Sequence, residues 1–219
     1  MARETVGAQR RAAMREARSG AGPVAEAYDP GPNPGATAKF GLFGEVLTVG
    51  LLITVASLPV VTLPVALAAG VRHLRRFAAA EGSSVALFWG DFRRGLGAGA
   101  VGGAVAALLA AILVLDIDLA GTGALPGGAF VSVFGWSALT VLAVAILVAA
   151  GQWSPEAGWR RAVRSVPRAV LHDPVGALFL AATVVFVGVV TWALMPLFIP
   201  AIGCAALAVL AVPARRRRR

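Results

Sequence analysis

The stretch Pro174 to Ala214, PVGALFLAATVVFVGVVTWALMPLFIPAIGCAALAVLAVPA, runs for 41 residues without a charged side chain. About 20 apolar residues at a rise of 1.5 Å cross a hydrocarbon core of roughly 30 Å, so this run can cross twice. Met195-Pro196 and Pro200 interrupt it near its middle. There a lost amide donor and a fixed φ favour a tight reversal. Two antiparallel helices are expected, near 175–194 and 197–213.

Three further uncharged runs precede it: Val46 to Val71 with 26 residues, Gly95 to Leu115 with 21 and Leu119 to Pro155 with 37. Each can hold a span, near 42–71, 95–115 and 129–151. The whole chain agrees, with 58% hydrophobic and 14% charged residues in 219. Soluble domains lie near 45–50% apolar and about 25% charged, which excludes an ordinary water-soluble globule. The expected fold class is all-α, a polytopic transmembrane bundle of about five segments within 41–214. Residues 1–40 form a basic, Gly-Pro-rich stretch, and Asp29-Pro30-Gly31-Pro32-Asn33-Pro34-Gly35 permits no continuous helix. A disordered tail is expected there, with room for a short helix at Thr5 to Arg18. No apolar core of a secretory leader occurs in the first 30 positions, so no cleaved leader is expected.

Arginines set the orientation, because short cytoplasmic loops retain Lys and Arg. Arg72, Arg75, Arg76, Arg93 and Arg94 occupy the connection 72–94; Arg160, Arg161, Arg164 and Arg168 occupy 152–173; Arg215 to Arg219 end the chain. The turn after the second run carries Asp116 and Asp118 and no cation, and the Met195-Pro196 reversal carries no charge. Basic and non-basic connections therefore alternate, as a serpentine of helices requires. This places the basic loops and the C-terminus in the cytoplasm of a multi-pass membrane protein.

The first apolar segment fits less well. Gly41 to Val71 is 31 residues, about 46 Å as a helix, too long for one upright span and too short for two. A single span kinked at Ser57 and Pro59 puts the N-terminal arginines outside, against the charge rule. A broken, re-entrant element, with its second helix started by Thr62 and Pro64, keeps both ends inside. The single kinked span is the preferred reading, because only Lys39 lies close enough to the membrane to weigh heavily.

Gly97, Gly99 and Gly102 match the G-x-G-x-x-G spacing of a dinucleotide-binding turn, but no strand precedes them and no acid follows at the required distance. Gly95, Gly99, Gly103, Ala107 and Ala111 instead form a small-residue ridge at i, i+4 spacing. Such ridges let helices pack closely in lipid, against this chain or a second copy of it. The segment 156–171 is amphipathic, with Trp159, Ala162, Val163, Val166 and Val170 opposite Arg160, Arg161, Arg164 and Arg168. A helix of this build lies among anionic headgroups or docks on a partner. The connection 72–94 repeats the theme, with Phe88, Trp89 and Phe92 beside Asp91, Arg93 and Arg94. All these arginines flank apolar spans, so topology accounts for them without nucleic acid.

Catalytic, metal-binding and cofactor-binding sets are not legible. One cysteine, Cys204, forms no internal disulfide, and His73 and His172 are too few for a metal or haem site. Both histidines read as interfacial, and Asp173 is the one carboxylate adjacent to either. Glu45, four residues into the first helix, is placed to favour the helix dipole. The expectation is a protein that is not an enzyme.

Ser57-Leu58-Pro59-Val60-Val61-Thr62, followed by a small-residue helix ending in Arg72 to Arg76, resembles the YesL-type family of small bacterial membrane proteins. Val85 to Arg94, with Phe88, Trp89, Asp91, Phe92 and Arg93, is similar to that family's second aromatic-basic block. Glycine replaces the asparagine that would follow the paired arginines. The resemblance covers about residues 40 to 115 in motif, and it implies an integral membrane domain of unknown biochemical function, often near sugar ABC-transport components. In addition, Glu156-Ala157-Gly158 resembles the start of the cytoplasmic coupling loop of ABC-transporter permeases, with Gly158 in place of that loop's second alanine. Together these imply a non-enzymatic accessory subunit, docked on a membrane partner such as a sugar ABC transporter. The docking residues expected are Arg72, Arg75, Arg76, Trp89, Phe92, Arg93, Trp159, Arg160, Arg161 and Arg164. The alternative is a small transporter or channel that uses the break at Ser57, Pro59, Thr62 and Pro64 to expose helix ends to a solute.

Overall fold

The computed structural model describes residues 39–123 and 127–217. The expected tail, the helix at Thr5 to Arg18 and the last two arginines lie outside the described residues. In chain order the elements are α1 (Lys39–Ala56), a 3-10 turn (Val60–Thr62), α2 (Leu63–Ala78), α3 (Val85–Gly121), α4 (Gly128–Gln152), α5 (Gly158–His172), α6 (Pro174–Ala193), a second 3-10 turn (Met195–Leu197) and α7 (Phe198–Arg217). No strand occurs among the described residues.

Local chemistry sets the boundaries. The Ser84 hydroxyl accepts from the Leu87 amide at the start of α3. Asp173 accepts from the Gly176 amide at 2.9 Å and Pro174 supplies the first turn of α6. Gly127, at φ +80°, enters α4 through a left-handed conformation that a side chain would strain. The Met195-Pro196 reversal forms where the sequence places it, and α6 and α7 pack against each other.

Four helices are long and apolar enough to cross a membrane: α3, α4, α6 and α7 with the turn before it. Their large exposed side chains are apolar, among them Val101, Leu108, Phe130, Phe134, Phe186 and Trp192. In water such a surface would aggregate, whereas lipid solvates it. The all-α polytopic bundle is therefore the fold.

The first apolar segment departs from the preferred reading. It is not a kinked span but a helical hairpin. Glu45, near the start of α1, meets His73, near the end of α2, and Ile53 and Val49 pack over Gly70. Both ends of the hairpin thus lie at one level. The chain turns at Ser57 to Thr62, where the Thr62 hydroxyl donates to the carbonyls of Ala56 and Pro59, each at 2.6 Å. That hydroxyl satisfies acceptors that the broken helix leaves open, as lipid demands of an irregular backbone. Where five spanning segments are expected, the described residues hold four helices long and apolar enough to span, plus a helical hairpin.

The hairpin is the most buried part of the molecule. Val49, Ile53, Ala66, Ala68, Ala69 and Val71 are fully enclosed. The ridge on α3 receives it: Gly95, Gly99 and Gly103 are buried, with Val65 over the first two. At Gly103 a methyl group would overlap the Val61 carbonyl, so the tip lies directly on the α3 backbone. The ridge therefore serves this chain's own hairpin. Beyond it Ala107 is half-buried at the cavity by the tip, and Ala111 is exposed. On the other flank α7 approaches just as closely. A methyl group at Gly50 would overlap the Ile199 carbonyl, and one at Gly203 the Val46 carbonyl.

Contacts along the bundle gather the basic connections at one end. Arg75 reaches Gly151 at the end of α4, Asp91 joins α2 to α3, and Arg215 at the end of α7 pairs with Asp173 at the start of α6. Asp116 and Asp118 lie near the opposite end of α3, exposed. Gly103 lies eight residues beyond Gly95, so the tip stops about 12 Å into the apolar run of α3.

Candidate functional site

The hairpin carries its charges at its base, on the arginine end. Arg72 and Arg76 are four residues apart on α2 and so share one face. Both donate to the same oxygen of Asp91 on α3: Arg72 Nε at 3.1 Å and Arg76 Nη2 at 2.6 Å from Oδ2. Asp91 is 2% exposed. A buried carboxylate needs charged or hydrogen-bonding partners, and two guanidinium groups supply them. Next to Arg72 on α2, His73 Nε2 lies 2.5 Å from Glu45 Oε1 and donates to it across the hairpin. His73 is 2% exposed, so it is an interior residue and not an interfacial one. Glu45 is accordingly the partner of His73, and the carboxylate next to His172 is not the relevant one. These two clusters tie the hairpin together and tie it to α3.

Arg75 points another way. Its Nη2 donates to the Gly151 carbonyl at 3.0 Å, and among the described residues it meets no carboxylate. Partial desolvation against a cavity wall, and then the neighbouring Arg72, lower its pKa below the usual guanidinium value.

A second group forms where α5 meets the bundle. Trp159 Nε1 donates to the Gly95 carbonyl at 2.9 Å, and the Trp159 ring stacks on Trp153, which also lies under Arg72. Ala162 is buried beneath α5, while Val163 is exposed and does not join the packed side expected for it. Arg160, Arg161, Arg164 and Arg168 are all exposed. At the head of α5 the exposed Glu156 carboxyl is held below its usual pKa, first by its own backbone amide and then by Ser154.

The expected docking set divides accordingly. Arg72 and Arg76 are spent on Asp91, and Phe92 is buried in an aromatic group with Phe88 and Trp89. Trp159 anchors α5. Arg93, Arg160, Arg161 and Arg164 remain exposed, and Arg75 is exposed at the rim of a cavity described below. Sequence reasoning missed the Glu45–His73 pair, because residues 28 apart carry no helical spacing to join them. It also missed the Arg72–Asp91–Arg76 arrangement, although the i, i+4 arginines with an acid in the next helix were the available signal.

Two cavities accompany the hairpin. Beyond its tip an open apolar one of about 700 Å³ is lined by Val60, Pro64, Gly103, Ala107, Trp136 and Trp192, among others. At the arginine end a second, of about 640 Å³, lies between the ends of α4, α5, α6 and α7, with Arg75 at its rim. Among the described residues no three His, Cys, Asp or Glu side chains gather as a bound metal would require. Comparison of the chain with protein-family models, with curated proteins and with solved structures returns no match.

Proposed function

We propose that this protein is a non-enzymatic accessory subunit of the bacterial plasma membrane, with its arginine end and C-terminus in the cytosol. On this reading it presents α5 as a rigid cationic docking surface to a membrane partner such as a carbohydrate ABC transporter. The observation that carries the reading is the mounting of α5. Its apolar side is fixed by Trp159 on Gly95 and by buried Ala162, while Arg160, Arg161 and Arg164 face outward. A helix held in this way pays little ordering entropy on binding, and its charges steer an acidic partner. The resemblance of residues 40 to 115 to YesL-type proteins points in the same direction.

The test is affinity capture in mild detergent. A transporter component should be enriched over an unrelated four-span control and lost when Arg160, Arg161 and Arg164 are all changed to Glu. No enrichment, or enrichment unchanged in that variant, overturns the reading.

One observation favours a second reading, a small transporter. Re-entrant segments place helix ends inside the membrane, and here the tip borders the apolar cavity. The walls of that cavity suit an apolar solute and not a sugar or an ion. Proteoliposome flux of an apolar amphiphile that disappears in Pro59→Ala and Thr62→Val would promote this reading, and absence of flux would remove it.

A further inference from the structure

The cavity at the arginine end has walls whose polarity changes with depth. Along α4 and just past its end the lining passes from Val148 outward to Gln152 and Ser154; along α6 it passes from Leu180 outward to Asp173, which caps that helix. On α7 it begins at Val209. The inner turns are therefore apolar, while the polar groups lie at the rim, where the apolar runs of these helices end. A cavity of this gradient matches a molecule with one polar end and one hydrocarbon end.

Charge then selects the polar end. Among the described residues, Arg75, Arg215 and Asp173 bring charge to this region. Asp173 is already engaged, by Arg215 Nη2 at 3.1 Å and by the Gly176 amide at 2.9 Å. Arg75 is left without a carboxylate among the described residues, bonded only to the neutral carbonyl of Gly151. The rim thus carries one uncompensated positive charge beside a low-dielectric wall, where an unpaired charge is costly and an arriving anion is favoured. A guanidinium offers two parallel N–H donors to a phosphate, beyond what the carbonyl uses.

We infer that this cavity is a binding site for one anionic phospholipid, its phosphate on Arg75 and an acyl chain against Val148, Leu180 and Val209. α5 lends Ala169 and Val170 to the cavity wall but none of the docking arginines Arg160, Arg161 and Arg164, so the inference stands or falls independently of the docking reading. A bound lipid joins the ends of α4, α6 and α7 to the base of the hairpin.

The experiment is native mass spectrometry of the full chain released from detergent, with phosphatidylglycerol, phosphatidylcholine or glycerol 3-phosphate added. One phosphatidylglycerol per chain should be retained at least tenfold more tightly than phosphatidylcholine. Its affinity should fall at least tenfold in Arg75→Gln, and also in Ala177→Trp, which fills the cavity and leaves the arginine in place. Arg94→Gln, on the exposed surface of α3, should retain it. Equal retention of the two lipids overturns the inference, as does retention of phosphatidylglycerol by both cavity variants or an equal loss in Arg94→Gln. Displacement by millimolar glycerol 3-phosphate overturns it too, because the site would then serve a free phosphate.

Discussion

His73 and Glu45 face each other at 2.5 Å although 28 residues separate them, and this pair closes the open end of the α1–α2 hairpin. With His73 enclosed, removing the carboxylate leaves a buried ring without its partner, which costs about 1–3 kcal/mol. Glu45→Ala and His73→Ala should each lower the thermal midpoint in detergent. The double variant should lose less than the sum of the two, with a coupling of roughly 0.5–3 kcal/mol. Strict additivity would mean that the pair does not hold the hairpin.

Asp91 stands between two arginines on α2 and is nearly without solvent exposure. Asp91→Asn keeps the shape but leaves two guanidinium groups facing a neutral amide. Breaking a buried pair from one side costs about 3–5 kcal/mol, so this variant should be among the most destabilising single changes in the chain. Melting in detergent, followed by the protection of α2 from proteolysis, measures it.

Neighbouring glycines on α3 should behave in opposite ways. A side chain at Gly103 meets the Val61 carbonyl, whereas Gly102 has open space around it. Gly103→Leu should displace the tip and cost about 1–3 kcal/mol or more. Gly102→Leu adds a lipid-facing methyl cluster and removes a flexible residue, so stability should hold or rise by up to about 1 kcal/mol. Thermal midpoints of the two variants side by side test the assignment of the ridge to the hairpin.

Much of this fold is legible without coordinates. Runs of uncharged residues and proline-marked breaks locate α4, α6, α7 and the middle of α3, and the arginine pattern assigns their common end. The third helix begins ten residues earlier than expected, at Val85, and continues through Asp116 and Asp118 to Gly121. The ridge at Gly95, Gly99 and Gly103 is equally plain. The hairpin is not, because residues 41–71 are apolar whether they face lipid or the inside of the protein, and hydropathy does not separate the two. Once the chain doubles back, the charge conflict of a single span disappears, since α1 then begins at the end that collects the arginines. The site is less legible still. Arginines that read as surface charge turn inward only because Asp91 awaits them on another helix. His73 reads as interfacial until α1 brings Glu45 alongside.

The doubled-back hairpin is the claim on which the rest depends, and thiol labelling tests it most directly. In a Cys204→Ala background, single cysteines at Gly41, Gly82 and Gly123 would be exposed in intact cells to a membrane-impermeant maleimide. Positions 41 and 82 should react together, only after the cells are opened, and position 123 should react from outside. Labelling of position 41 together with position 123 would contradict it, because the first segment would then cross the membrane.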